Sequence, residues 1–328
     1  MHAILYFDRN GNQHNHLRYE DIPQVLEDQQ GLLWVDFEGE PPEVCEPVLI
    51  QTFCFHPLAV DDALQETHIP KIDDWEQYLY IALRAISFQV KDGDMIETPE
   101  LDVFLGHNYI VTHHDKPVPA LERTWKHVQR DNRHIKQGAD HILYLIIDEL
   151  AVEFMEVVDQ LDDEIEIIED MIFDLPGPEI LEKAFALKRA TIHLRRTLSP
   201  LREVLNKLAR DQYDVIDTKD RIYFRDVYDH LVRLYDITEK LRELVNGALE
   251  TYLSVINNRM NDTVKTLTVI TTMFMPISFV AGFFGMNFFE PVLSTSAWTG
   301  GSALVLTLLL MVAAPSLMYL YIRKRGWM

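Results

Sequence analysis

The sequence predicts an α+β membrane protein, with an N-terminal cytoplasmic α/β domain, long stalk helices and two C-terminal transmembrane helices. Three observations predict it. The last quarter of the chain holds two apolar runs without an ionisable residue, Leu267 to Phe284 and Ala303 to Ile322. Each matches the hydrocarbon thickness of a bilayer. From roughly Thr218 to Phe284 the only proline is Pro276, and Gly247 is the only interior glycine before Gly282. Read as one helix, that stretch spans on the order of 100 Å at 1.5 Å per residue. Residues 1–136, by contrast, alternate short β-rich runs with turns and helical patches.

Along the chain, His2 to Phe7 followed by Asp8-Arg9-Asn10-Gly11 reads as a strand entering a hairpin turn. No leader segment is visible there, so the soluble portion is expected in the cytoplasm. Strands are predicted at Leu32–Phe37, Tyr78–Leu83, Asp102–Leu105 and Asn108–His113, the last two paired through Gly106-His107. Helical patches near Glu43–Phe53 and over Val118–Arg133 fill the gaps. His113-His114-Asp115 has metal-ligand residue types, but neighbours on a strand point to opposite sides, and a surface strand end is expected.

Residues 137–265 are expected to form a helical region that includes the stalk. Apolar residues recur at helical spacing from Ile142 to Ile172 and from Ile180 to about Leu208, with Leu175-Pro176-Gly177-Pro178 breaking the two helices. The first of these helices is strongly acidic, without Lys or Arg between Lys136 and Lys183. Such a run is either a solvated face or an electrostatic reservoir for cations.

The 328 residues carry 30 Lys and Arg against 52 Asp and Glu, a formal charge of −22. That balance excludes nucleic acid as a partner, because phosphate binding needs an excess of basic residues. Cys45 and Cys54 are the only cysteines and have no CxxC spacing, which argues against a disulfide scaffold or structural zinc site. Nucleophile-elbow, P-loop and zinc-protease signatures do not occur, so neither an enzyme nor an ATP-driven pump is expected.

The membrane module divides into a first transmembrane helix at 266–284, an outer loop at 285–300, a second transmembrane helix at 301–322 and a basic tail at 323–328. Lys265 precedes the first span, Arg323-Lys324-Arg325 follows the second, and the loop between them has no Lys or Arg. By the positive-inside rule both termini face the cytoplasm and the loop faces out, in the lipid bilayer of the cytoplasmic membrane.

Alternating steps of four and three residues from Glu250 reach Ser254, Asn257, Asn261, Val264, Thr268, Thr271, Met275, Ser278 and Gly282. This stripe is polar or small nearly throughout and continues into the charge-free segment. In hydrocarbon it must face protein or water. Either its small residues let neighbouring helices approach, or it lines a water-filled path. A lone stalk cannot bury both faces, so self-association is expected, most simply as a supercoiled bundle. Gly285-Met286-Asn287 ends the first span, placed to form the mouth of such a path. The lining suits a strongly hydrated divalent cation. Mg²⁺ gives up water reluctantly, and Asn287 with the Gly285 carbonyl can accept hydrogen bonds from an intact shell without the grip of a carboxylate. Met275, with Leu267 or Val264, would form an apolar constriction able to gate by dewetting.

Phe284-Gly285-Met286-Asn287-Phe288, preceded by Phe274-Met275-Pro276-Ile277-Ser278-Phe279 and followed by one more membrane helix, resembles the CorA family of magnesium and cobalt transporters. The likeness covers most of the chain. His56-Pro57-Leu58-Ala59-Val60-Asp61-Asp62-Ala63-Leu64 is similar to the family's cytoplasmic motif, and Tyr223-Phe224-Arg225-Asp226-Val227-Tyr228-Asp229-His230 to its stalk motif. The resemblance implies transport of Mg²⁺, with Co²⁺ or Ni²⁺ as further candidates, by a homopentamer whose first membrane helices line the pore. Gly285, Met286 and Asn287 would be the selectivity filter. Glu250 falls on the family's acidic ring at the cytoplasmic end. Asn261, Val264, Leu267, Met275 and Ser278 fall on lining or gating positions, joined by Asn257 and Thr271 from the stripe. Asp61, Asp62 and Asp226 fall where neighbouring subunits share regulatory Mg²⁺, whose depletion opens the pore.

The outer loop departs from the family pattern. It reads Phe288-Phe289-Glu290-Pro291-Val292-Leu293-Ser294 in place of a Met-Pro-Glu-Leu-like segment, leaving Glu290 as the one acid at the outer mouth. Phe284 stands where Tyr is common. Two other readings share the architecture: a proton-coupled zinc transporter, whose relatives vary the residue that is Met286 here, and a membrane metal sensor that does not transport.

Overall fold

A computed structural model describes residues 2–14, 17–65, 69–91, 94–131, 137–174, 176–286 and 301–325. Its strands are β1 (His2–Phe7), β2 (Gln13–His14), β3 (Leu32–Glu38), β4 (Lys71–Asp74), β5 (Leu79–Arg84), β6 (Ser87–Lys91), β7 (Asp94–Glu97), β8 (Glu100–Leu105) and β9 (Tyr109–His114). Seven of them form one sheet in the order β2-β1-β3-β9-β8-β5-β4, while β6 and β7 make a separate hairpin. The sheet is antiparallel except between β3 and β9, where Leu33 stands beside Tyr109 and Glu38 beside His114. The β8–β9 hairpin turns at Gly106, whose N–H donates to the Tyr109 carbonyl at 2.9 Å. A Cβ at Gly106 would lie 2.3 Å from the Tyr109 ring, so any larger residue would have to displace that ring.

Period-two alternation splits each central strand between two cores. On one face Leu33, Val35, Phe37, Tyr80, Phe104 and Val111 pack against three short helices, α1 (Ile22–Leu26), α2 (Pro42–Pro47) and α3 (Pro57–Leu64). Phe55 and Phe104 stack there with ring centroids 4.3 Å apart. Helix α3 starts cleanly because Pro57 needs no N–H donor partner and the His56 Nδ1 accepts from the Leu58 N–H at 3.2 Å. On the other face Trp34 meets Trp125 of α4 (Pro119–Arg130) at 4.6 Å and donates through Nε1 to the Thr112 hydroxyl at 3.1 Å. With helices on both sides, β5 and β8 are buried along their whole length.

Four long helices follow: α5 (Ala139–Asp174), α6 (Pro178–Arg210), α7 (Arg221–Gly285) and α8 (Gly301–Lys324). The chain divides into two compact units, Met1–Glu250 and Thr251–Met328, and α7 is continuous across the division. In the first unit Arg123 of α4 ties to α5 through Glu149 at 2.7 Å and Glu153 at 3.0 Å. Arg195 of α6 reaches Glu239 on α7 at 2.5 Å. In the second unit α7 and α8 each contain a stretch long and apolar enough to cross a membrane, with 6% and 0% of it buried. Their apolar surface is outward, the reverse of a soluble core helix.

The predicted strands and long helices are present, with ends shifted by a few residues. The short strands β2, β4, β6 and β7 were not expected from the sequence. β4 reads Lys71-Ile72-Asp73-Asp74 on a sheet edge, where charges protect against further pairing and erase the apolar alternation. The expectation of a surface strand end at His113-His114 is corrected. Both are buried, at 4% exposure each, because β9 runs between β3 and β8. They do point apart: His113 Nδ1 lies 3.8 Å from Asp102, and His114 Nε2 lies 3.3 Å from Asp36. Burial works against the His114 imidazolium, but Asp36 outweighs it and the pKa is raised.

Asp102 accepts a hydrogen bond from the Tyr80 hydroxyl at 2.7 Å, and burial first of all pushes its carboxyl up to about 6. A folded pKa above the unfolded value favours the folded state only while the group stays protonated. The chain should therefore lose stability as pH rises from the ordinary carboxyl value of 3.8 to about 6, then level off. Asp102→Asn keeps an acceptor for Tyr80 and should flatten that slope in denaturant midpoints of the solubilised chain; an unchanged slope would mean Asp102 does not carry it. Phe104→Ala opens a cavity beneath Phe55 and Tyr80 and should cost about 3–5 kcal/mol in the same measurement; a loss under about 1 kcal/mol would show the site collapses freely.

Candidate functional site

In the second unit α7 carries two distinct faces. Val269 is buried and Thr272, Met273, Pro276, Ile277 and Val280 are half-buried, on the side where Val269 and Thr272 share a cleft with Met318 and Ile322 of α8. At 3.6 residues per turn, the stripe Val264, Thr268, Thr271, Met275, Ser278 and Gly282 sits roughly 150° further round. Every one of those positions is exposed, as are Asn257, Asn261 and, beside the stripe, Leu267. Exposure reaches 72% at Met275 and 55% at Val264. The polar side of α7 is thus directed away from its own partner helix.

The threonines show how this face is equipped. Thr268 donates its hydroxyl to the Val264 carbonyl at 2.7 Å, and Thr271 to the Leu267 carbonyl at 2.9 Å. Thr263 and Thr266, one turn earlier, do the same to Arg259 and Asp262, each at 2.9 Å. A hydroxyl has a single donor, so back-bonding spends it and leaves oxygen lone pairs facing outward. Thr268 and Thr271 therefore present acceptors only. Pro276, on the opposite side of the helix, removes the N–H that would bond the Thr272 carbonyl. A surface of acceptors without net charge attracts the water hydrogens around a cation and repels the hydration shell of an anion.

Gly285 is the last residue of α7 and is exposed, and Met286 is 55% exposed, its N–H pointing to the Phe283 carbonyl at 3.4 Å. Asn287 and Glu290 lie outside the described residues. Glu250 is exposed at the end of the first unit.

The cytoplasmic acids are placed separately. Asp61 and Asp62 lie on α3, and Asp226 is exposed on α7. Asp61 accepts from the Gln65 amide at 2.5 Å. Asp62 is gripped by the Lys71 ammonium at 2.5 Å, and Lys71 also reaches Asp73 at 2.9 Å. Burial lowers the Lys71 pKa, but those two carboxylates outweigh it and the net shift is upward. Among the described residues no three His, Cys, Asp or Glu side chains gather as a metal-binding group. One chain alone does not bring Asp61, Asp62 and Asp226 together.

Asp148 on α5 was missed by sequence reasoning, lost within an acidic run. Burial raises its pKa first, and the charges of Glu149 and Asp226 raise it further against the pull of His230. Asp148 and Asp226 thus repel one another between α5 and α7.

The CorA-like Mg²⁺ transporter protein family matches residues 29–324. The chain belongs to this family. It is 33% identical over 313 residues to the cobalt/magnesium transport protein CorA of Thermotoga maritima, covering 94% of this chain and 87% of that one. Against the protein of the same name in Methanocaldococcus jannaschii it is 28% identical over 267 residues, covering 80% and 81%. The solved structure of the complete CorA magnesium transporter from Methanocaldococcus jannaschii superposes with a TM-score of 0.83 at 24% identity, covering 99% of this chain and 98% of that one. The architecture of a soluble α/β domain, a long helix and two terminal apolar helices is the family's own, and members of this family are transporters rather than enzymes.

Lys71→Met removes the ammonium from Asp62. If Asp62 ligates a cation, Mg²⁺ should then raise the melting temperature of the full chain at a concentration lower by about fivefold, the effect of roughly 1 kcal/mol of lost competition. An unchanged Mg²⁺ dependence would place Asp62 outside any cation site.

Proposed function

We propose that this chain carries Mg²⁺, with Co²⁺ as a further substrate, across the cytoplasmic membrane through a homopentameric channel that cytoplasmic Mg²⁺ closes. One observation supports it most: the side of α7 turned away from α8 is exposed and offers hydroxyl acceptors whose donors are already spent. Such a face is costly against lipid and useful against a hydrated cation. Copies of α7 arranged about an axis enclose it. The relatives reported above are named for cobalt and magnesium transport, which agrees with this substrate class.

In this reading Gly285, Met286 and Asn287 form the selectivity filter, with the Asn287 carboxamide and the Gly285 carbonyl accepting hydrogen bonds from the ion's water shell. Glu290 draws cations to the outer mouth. Asn257, Asn261, Thr271 and Ser278 pass the hydrated ion along, and Val264, Leu267 and Met275 form the apolar constriction. Glu250 collects the emerging ion at the cytoplasmic end. Both termini are cytoplasmic, consistent with Lys265 and Arg323-Lys324-Arg325 flanking the two spans. The functional division follows 1–136, 137–265, 266–284, 285–300, 301–322 and 323–328.

Closure rests on carboxylates that repel when bare. Mg²⁺ shared between Asp61 or Asp62 of one subunit and Asp226 of the next draws the subunits together, with Asp148 adding to the charge that the ion offsets. Depletion restores the repulsion and loosens the ring. The membrane potential supplies the driving force, about 2.3 kcal/mol per charge for each 100 mV.

Liposomes holding the purified chain and a Mg²⁺-sensitive dye test the proposal. Flux should follow an imposed potential without a pH gradient. Flux that requires a proton gradient and carries Zn²⁺ would establish the zinc-transporter reading, and no flux would leave a sensor. Asn287→Ala should abolish selection of Mg²⁺ over monovalent ions. Asp226→Ala should raise the internal Mg²⁺ needed for closure about tenfold, the equivalent of about 1.4 kcal/mol. Unchanged selectivity or an unchanged dose response would remove the corresponding assignment.

A further inference from the structure

The second unit contains a cleft of about 340 Å³ between α7 and α8. Its walls are Thr268 and Thr272 of α7 with Met318, Tyr321 and Ile322 of α8, and Arg325 stands at its mouth. The volume falls within the range of about 300–1,000 Å³ that small-molecule sites occupy. The walls are predominantly apolar, and the mouth is cationic. The Arg325 guanidinium lies over the Tyr321 ring, 5.5 Å from its centroid, with Arg323 and Lys324 immediately before it. Asp262 on α7 is engaged by Lys265 at 3.2 Å, and among the described residues no ion pair joins Arg323, Lys324 or Arg325 to a carboxylate.

The position of the cleft matters as much as its lining. Lys265 directly precedes the α7 residues that line it, and Arg323 to Arg325 end the α8 residues that line it. The cleft therefore opens at the basic end of the helix pair, the end the positive-inside rule places at the cytoplasmic leaflet. That leaflet carries anionic lipid, and basic pockets between membrane helices on that side attract lipid phosphates.

We propose that the cleft is a binding site for an anionic phospholipid, one acyl chain lying between α7 and α8 and the headgroup phosphate held by Arg325. A zwitterionic lipid fits the walls equally but leaves three neighbouring cations uncompensated. The apolar span of a second copy, Leu267–Phe284 or Ala303–Ile322, would fill the walls and bring no carboxylate to Arg325. A free phosphate meets the charge and leaves the cleft empty. Only a ligand that is apolar at one end and anionic at the other satisfies both parts of the site. Bound there, the lipid braces α7 beside Thr268, next to the polar stripe, without entering it.

Native mass spectrometry of the full chain, delipidated in detergent and titrated with phosphatidylglycerol or phosphatidylcholine, tests this. Phosphatidylglycerol should be retained in preference to phosphatidylcholine. Arg325→Gln should weaken its retention about fivefold, the loss of one basic contact. Thr272→Phe, which fills the cleft and leaves the charges in place, should weaken it as well. Glycerol phosphate, the headgroup without chains, should not compete. Equal retention of the two lipids, or retention unaffected by both substitutions, overturns the proposal. Competition by glycerol phosphate would show a surface anion site in place of a lipid cleft. A disulfide formed between subunits by cysteines placed at positions 272 and 318 would show that a second copy occupies the cleft, and would overturn it equally. Elution of each variant at the parent's oligomer position separates loss of binding from loss of fold.

Discussion

Within hydrocarbon no water is available to satisfy a polar group, and this constraint governs how α7 is built. Its side chains fall into a side that meets α8 and a side that does not, and the polar residues lie on the second. The threonines resolve the conflict in two steps. Their donors return to the helix backbone, as Thr268 does to Val264 and Thr271 to Leu267. Their acceptors remain outward, still in need of a partner. A helix so equipped is incomplete alone, and the partner it requires must supply hydrogen rather than hydrocarbon. Water around a cation is such a partner, and under the proposed reading the association of copies encloses it.

The soluble unit meets a different constraint, the cost of holding many carboxylates near each other. With 52 acids against 30 Lys and Arg, at least 22 acids have no Lys or Arg of their own to pair with. Where partners exist, they are specific: Arg123 with Glu149 and Glu153, Arg195 with Glu239, Lys71 with Asp62 and Asp73. The solvent-facing pairs among these add little stability each. Their value lies in fixing where negative charge is left over. Asp148 and Asp226 are left over, with Asp148 shifted upward partly by Asp226 itself. Under the proposed reading that residue of repulsion is stored for a cation to release. Asp62 differs, since its carboxylate is already engaged by the Lys71 ammonium, which under the same reading would compete with a metal.

Much of this was legible in the sequence because it depends on local periodicity. The four long helices follow from 3.6-residue recurrence and from proline at the breaks, and β3, β5, β8 and β9 from short apolar runs bounded by turn residues. The stripe from Ser254 to Gly282 was legible for the same reason. What escaped depends on neighbours distant in sequence. The burial of His113 and His114 follows from β9 lying inside the sheet, which no local pattern encodes. The edge strand β4 looked like a charged loop because its partner supplies the pattern it lacks. The Lys71 grip on Asp62 and the closeness of Asp148 to Asp226 required packed elements to be seen.

The faces of α7 also limit what each can do. Val269, Pro276 and Ile277 hold α8 and cannot line a path. Val264, Thr271 and Met275 are free to do so. Thr268 lies on the border, its hydroxyl on the stripe and its flank on the cleft wall. A shift of α8 that widened the cleft by turning α7 about that border would move acceptors on the stripe as well. Under the proposed reading the apolar constriction is sensitive to such movement, because a dewetted gap opens or closes over a small change in radius. Under the two proposals the lipid-facing and ion-facing sides of this helix are one mechanical object, and control can enter from either.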